Sequence, residues 1–155
     1  MKREIIITQD GSTSIFIPEM DETYHSIHGA LQEAKHVFIE NGLKLFNQTE
    51  LNVFELGFGT GLNAVLSAKF AADSNVKINY QTIEAFPVEV ELINKLNFSG
   101  LKGIESALFD AIHSANWEEK SFISESFSIR KIEAKIQDYS IEENEFDVVF
   151  FDAFG

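Results

Sequence analysis

Leu51-Asn52-Val53-Phe54-Glu55-Leu56-Gly57-Phe58-Gly59-Thr60-Gly61-Leu62 is the stretch that decides the fold. The apolar run to Leu56 reads as a strand, three glycines at alternate positions break it, and Leu62, Val65, Leu66 and Lys69 to Ala72 continue as a helix. Glycine lacks Cβ and reaches positive φ freely, so such a turn lets a ligand approach the main chain. Its spacing excludes two phosphate motifs. G-x-G-x-x-G would need glycine where Leu62 stands, and no G-K-[ST] follows to make a P-loop. What remains is E-x-G-x-G-x-G.

Working outward, Val76 to Ile83 reads as a second strand ending in Glu84-Ala85-Phe86, and Pro87 suits the first position of a helix carrying Val88, Glu91, Leu92 and Leu96. Gly103 to Trp117 reads as another helix. Phe127 to Ile136 is a third strand, with a bulge expected between Ile129 and Ile132. Phe146 to Phe151 is a fourth, apolar enough to be expected covered on both faces. Strands alternating with helices predict an α/β domain with a mostly parallel sheet and flanking helices. Before it, Glu4 to Pro18 reads as a β-hairpin turning at Asp10-Gly11, and from Asp21 a helix places Ile27, Leu31, Ala34 and Phe38 on one stripe before Asn41-Gly42. Residues 1–50 are therefore expected as a hairpin and helix packed on a core of residues 51–155, in one domain. The chain stops at Gly155, directly after a strand, where a domain of this kind needs two or three more; a carboxyl-terminal truncation is expected.

Composition narrows the function. The chain has 155 residues, 45% of them hydrophobic and 15 of them Phe, which supports a packed core and argues against disorder. It has no cysteine, which excludes disulfides, thiolate metal sites and a Cys nucleophile; a reducing, cytoplasmic setting is the default. No run approaches the roughly 18 apolar residues of a membrane span, so no membrane partner is expected. Twelve Lys and Arg against 25 Asp and Glu give a net charge of −13, which opposes broad affinity for nucleic acid. The basic residues make only small groups, Lys2-Arg3 and Arg130-Lys131 with Lys135. His25, His28 and His36 read as a polar helix face and His113 as ordinary helix surface; no metal is expected. No G-x-S-x-G elbow supports a hydrolase.

Open α/β sheets bind ligands at the carboxyl ends of their strands. Glu84 ends the second strand, where an acid accepts hydrogen bonds from ribose hydroxyls; Asp138 follows the third and can accept from an adenine amino group, with Phe86 against the adenine face. These spacings resemble the class I S-adenosylmethionine-dependent methyltransferases, which are Rossmann-like, over Leu51 to Gly155. A closer resemblance comes from three segments together: Asp21 to Ile39, ELGFGTGLN at Glu55 to Asn63, and FFDAFG at Phe150 to Gly155. Their combination resembles the tRNA 5-methylaminomethyl-2-thiouridine methyltransferase family, both the stand-alone enzymes and the methyltransferase half of the bifunctional MnmC type.

That resemblance implies S-adenosylmethionine as cofactor and a tRNA anticodon loop as substrate, with a methyl group passing to the primary amine of a 5-aminomethyl-uridine at the wobble position. It also implies an FAD-dependent oxidoreductase as a partner or fused domain. The cofactor contacts it implies are Tyr24, Ser26, Gly29, Glu55, Gly57, Phe58, Gly59, Gly61, Asn63, Glu84, Phe86, Asp138 and Asp152. Glu55 either faces the methionine ammonium or braces the glycine loop. Asp152 is the expected catalytic residue, orienting the amine and taking up a proton, and Phe154 walls the substrate pocket. One departure is plain: the family's D-A-F-G continues into a proline-containing P-E-M-W type segment, and this chain ends first. A small-molecule class I methyltransferase, or a fragment with weak cofactor binding or none, is the alternative.

Overall fold

The computed structural model describes residues 2–101 and 103–153. Its centre is a five-stranded sheet of β4 (Glu50–Leu56), β5 (Lys77–Glu84), β6 (Lys120–Phe122), β7 (Phe127–Glu133) and β8 (Val148–Phe151), in the order β6-β7-β5-β4-β8. The four strands from β7 to β8 are parallel and β6 is an antiparallel edge. Chain order therefore runs outward from β4 to β5 and β7, then returns to the other side of β4 with β8. That reversal is the switch point at which open α/β sheets form their crevice.

Side-chain alternation divides the sheet into two faces. Val53, Ile78, Tyr80, Phe127, Ile129, Val148 and Phe150 share one core with α2 (Leu62–Ser74) and α4 (Ser106–Ser114). Phe54, Ile83 and Ile132 form a smaller cluster on the other face with Leu56, Ala134, Ile136, Tyr139 and Phe146. No bulge separates Ile129 from Ile132: β5 and β7 stay in unbroken register from Ile78↔Phe127 to Glu84↔Glu133, and the two isoleucines simply lie on opposite faces. β8 is also not covered on both faces. Val148 and Phe150 point into the core, whereas Val149 is 62% and Phe151 71% exposed.

The amino-terminal segment forms its own antiparallel sheet of β1 (Glu4–Ile7), β2 (Thr13–Ile17) and β3 (Glu22–Thr23). The helix expected from Asp21 begins only at Ala30, as α1 (Ala30–Ala34), and continues as a π-helical stretch, Lys35–Glu40. Two observations account for the delay. Thr23 pairs with Phe16, and the Tyr24 amide donates to the Ile15 carbonyl, so this stretch is drawn into strand geometry. The opening amides of α1 are then met from the hairpin turn, where Asp10 accepts from the Gln32 amide at 3.0 Å and Ser12 Oγ from Leu31 at 3.3 Å. The helix expected at Pro87 is likewise short, α3 (Val90–Ile93), because Arg3 holds the preceding turn by donating to the carbonyls of Phe86 at 2.7 Å and Pro87 at 3.0 Å. Among the described residues no helix is long and apolar enough to cross a membrane.

Candidate active site

A cavity of about 610 Å³ opens above the carboxyl ends of β4, β5, β7 and β8, a volume in the range of small-molecule and cofactor sites. Its floor is the glycine turn. Gly57 has φ +94° and a Cβ there would sit 2.8 Å from the Asp152 carbonyl oxygen; Gly59 has φ +51° and a Cβ would meet the Tyr24 ring at 3.0 Å. These two glycines let the loop pass between Asp152-Ala153, just after β8, and the amino-terminal segment. Two histidines then hold Thr60. His25 Nε2 lies 2.6 Å from Thr60 Oγ1, and His113 Nε2 lies 3.1 Å from the Thr60 carbonyl. Burial pushes His25 down to about 4, so its ring is neutral at physiological pH.

The histidines thus depart from their sequence reading. His25 is buried while His28 and His36 are exposed, so they share no face. His113 is not plain surface either: it stacks on Phe109 with centroids 4.1 Å apart and braces the loop. Among the described residues, no three His, Asp or Glu are gathered as metal ligands. Beside this brace, Lys131 is 2% exposed, donates to the carbonyls of Ile112 and His113, and lies over the rings of Trp117 and Phe58. Burial lowers its ammonium to about 8.

Two acids flank the floor. On the β5 side, Glu84 accepts from the Gly59 amide at 3.1 Å and the Phe86 amide at 2.9 Å, leaving lone pairs toward the cavity. On the β8 side, Asp152 accepts from Asn63 Nδ2 at 2.8 Å, and its own amide donates to the Leu56 carbonyl at 3.0 Å. Burial raises the Asp152 carboxyl to about 6, despite the bond from Asn63. Beneath it lies Glu55, wholly buried and raised to about 8, first by desolvation and further by the nearby Asp152 charge.

The structure brings Tyr24, Gly57, Phe58, Gly59, Asn63, Glu84, Phe86 and Asp152 to one cavity. Glu55 and Gly61 lie outside its lining. Ser26 and Gly29 do as well, for a local reason: the Ser26 amide donates to Glu33 and the Gly29 amide to the Ser26 carbonyl, so this loop turns toward α1. Asp138 is exposed in a 3₁₀ turn just past the wall, which is made by Ile136 and Gln137 instead. Phe154 lies outside the described residues. Sequence reasoning missed Arg3, Met20, His25, Thr60 and Lys135 as lining residues. Arg3 had one signal, its place in the Lys2-Arg3 pair; its contacts with Phe86, Pro87 and Glu89 span more than 80 residues.

No family model matches the chain. In sequence it is 36% identical over 86 residues to the tRNA 5-methylaminomethyl-2-thiouridine biosynthesis bifunctional protein MnmC of Leptospira interrogans, a match covering 50% of this chain and 13% of that protein. To the MnmC of Acidovorax sp. it is 34% identical over 94 residues, covering 57% and 14%. The chain therefore spans a small part of the curated relatives' length. Among solved structures, MNMC2 from Aquifex aeolicus matches with a TM-score of 0.80 and 20% identity, covering 99% of this chain and half of that one. The fold is thus shared with that protein, and the resemblance to the MnmC methyltransferase family is borne out.

Proposed function

From its likeness to the MnmC methyltransferase region, we propose that the chain binds S-adenosylmethionine in this cavity and serves N-methylation of a 5-aminomethyl-uridine at the tRNA wobble position. The observation that carries the reading is the pair of acids on either side of one glycine floor, Glu84 bonded by backbone amides and Asp152 held by Asn63. The residues present suit the cofactor: bare backbone at Gly57 and Gly59, an acid with free lone pairs at Glu84, and an aromatic edge at Phe86.

When bound, the cofactor supplies a methyl group already activated by a sulfonium. The protein's work is then to align the amine and exclude water. Glu84 would hold the ribose hydroxyls and Phe86 the base, with Ile136 and Gln137 on the far wall. An ammonium has no lone pair and cannot attack, so the amine must be neutral. Asp152, with its raised proton affinity, would orient that amine and take up the proton released as the new N–C bond forms.

Net charge of −13 favours a compact footprint over a broad electrostatic one. The anticodon loop is such a target, and an oxidoreductase partner or fused domain would generate the amine. The cytoplasm is the compartment consistent with that substrate. The test is nucleoside mass spectrometry of tRNA carrying 5-aminomethyl-uridine, treated with the protein and S-adenosylmethionine. Conversion to the methylaminomethyl form is expected; an unchanged nucleoside, with cofactor binding intact, would favour a small-molecule methyltransferase.

A further inference from the structure

The polar group buried under the site is larger than the mechanism needs. Glu55 of β4 is 0% exposed, and both its carboxyl oxygens lack a formed hydrogen bond. Around it stand Asn63 of α2 and Tyr80 and Thr82 of β5, whose amide and hydroxyl groups temper the effect of burial without cancelling it; Asn63 Oδ1, Tyr80 OH and Thr82 Oγ1 are buried and lack a formed hydrogen bond. No cation answers this acid. Among the described residues none of the ion pairs includes Glu55, and the buried Lys131 of β7 stands two strands away on the carbonyls that end α4. The titratable groups that face it are Tyr80 from β5 and Asp152 past β8, while Glu33 of α1 adds its negative charge to Asp152. A buried carboxylate without a counter-ion, beside a second carboxylate, is costly enough that it takes up a proton instead.

Asn63 joins the two acids. Its amide donates to Asp152 Oδ2 and the same side chain stands beside Glu55, so one residue from the first turn of α2 lies against both acids. We propose that Glu55 and Asp152 form a pair carrying one negative charge, in which Glu55 is the neutral acid and a positioning residue, and the charge is confined to Asp152 at the cavity wall. This deepens the methyltransferase reading and rests on it for its purpose. It also answers the alternatives left open for Glu55: the residue supports the loop and Asp152 from below and does not receive the cofactor's ammonium.

Glutamine imitates a neutral Glu55, which makes Glu55→Gln the informative variant. We expect it to bind S-adenosylhomocysteine within about twofold of the unaltered protein, and to keep turnover within a few-fold. Its melting temperature relative to the unaltered chain should rise as pH is raised from 5 toward 8. The sign follows from linkage: a carboxyl whose folded pKa is raised binds its proton more tightly when folded, so stability is lost as pH climbs through that value, and glutamine removes the loss. Carbon-13 NMR of the unaltered protein, labelled at glutamate carboxyls, gives a reading that needs no variant: one resonance should titrate near pH 8. The proposal is overturned if every glutamate titrates in the ordinary range, or if Glu55→Gln folds but loses S-adenosylhomocysteine affinity tenfold. If the unaltered chain binds no S-adenosylhomocysteine, the cofactor reading fails instead, and the carboxyl titration still decides the state of Glu55.

Discussion

Glu84 and Asp152 sit on the two sides of β4, at the same end of the sheet, yet in opposite environments. Glu84 is partly exposed and receives two backbone amides. Asp152 is mostly enclosed, and that burial, with the negative charge of Glu33, raises its affinity for a proton although Asn63 donates to it. The contrast teaches a division of labour. An acid that holds hydroxyl groups suits the partly exposed β5 side, whereas an acid meant to accept a proton suits the poorly solvated β8 side.

The largest expected break in this comparison is Asp152→Asn. Turnover in the methyl-transfer assay should fall by roughly 10²–10⁴-fold, with S-adenosylhomocysteine affinity within about twofold. A large affinity loss would move Asp152 to the binding side. Next comes the loop that joins the two sides. Neutral His25 contributes its full stability above pH 6.5, because the unfolded chain takes up the imidazole proton first, and that contribution is lost as pH falls toward 4. The stability advantage of the unaltered chain over His25→Gln should therefore shrink by up to about 3 kcal/mol between pH 7 and pH 4, read from urea unfolding. Glu84→Ala reverses the Asp152 pattern: affinity should drop about 10- to 100-fold, while saturated turnover stays close to normal. Phe86→Ala is the smallest change, roughly two- to fivefold in affinity, since the residue is 56% exposed and a ligand there stays partly solvated.

What was legible in the sequence was local. The strand, glycine turn and helix around Gly57 to Gly61, and the acids at the strand ends, follow from short-range patterns that the sheet then brings together. What failed was set by distant partners. The late start of α1 depends on Asp10 and Ser12, and the shortness of α3 depends on Arg3. Apolar runs also conceal facing. The sequence of β8 predicts burial on both sides, yet alternate residues emerge because Val149 and Phe151 have nothing packed over them among the described residues. Glu55, expected either at the cofactor's ammonium or bracing the glycine loop, lies outside the cavity lining because the parity of β4 points it into the core, under α2.

The claim that the glycine floor and its two flanking acids form a cofactor site is tested most directly by calorimetric titration of S-adenosylhomocysteine into the unaltered protein and into Glu84→Ala. The account predicts saturable binding at one site, weakened at least tenfold by the substitution. Absence of binding, or binding indifferent to Glu84, would contradict it.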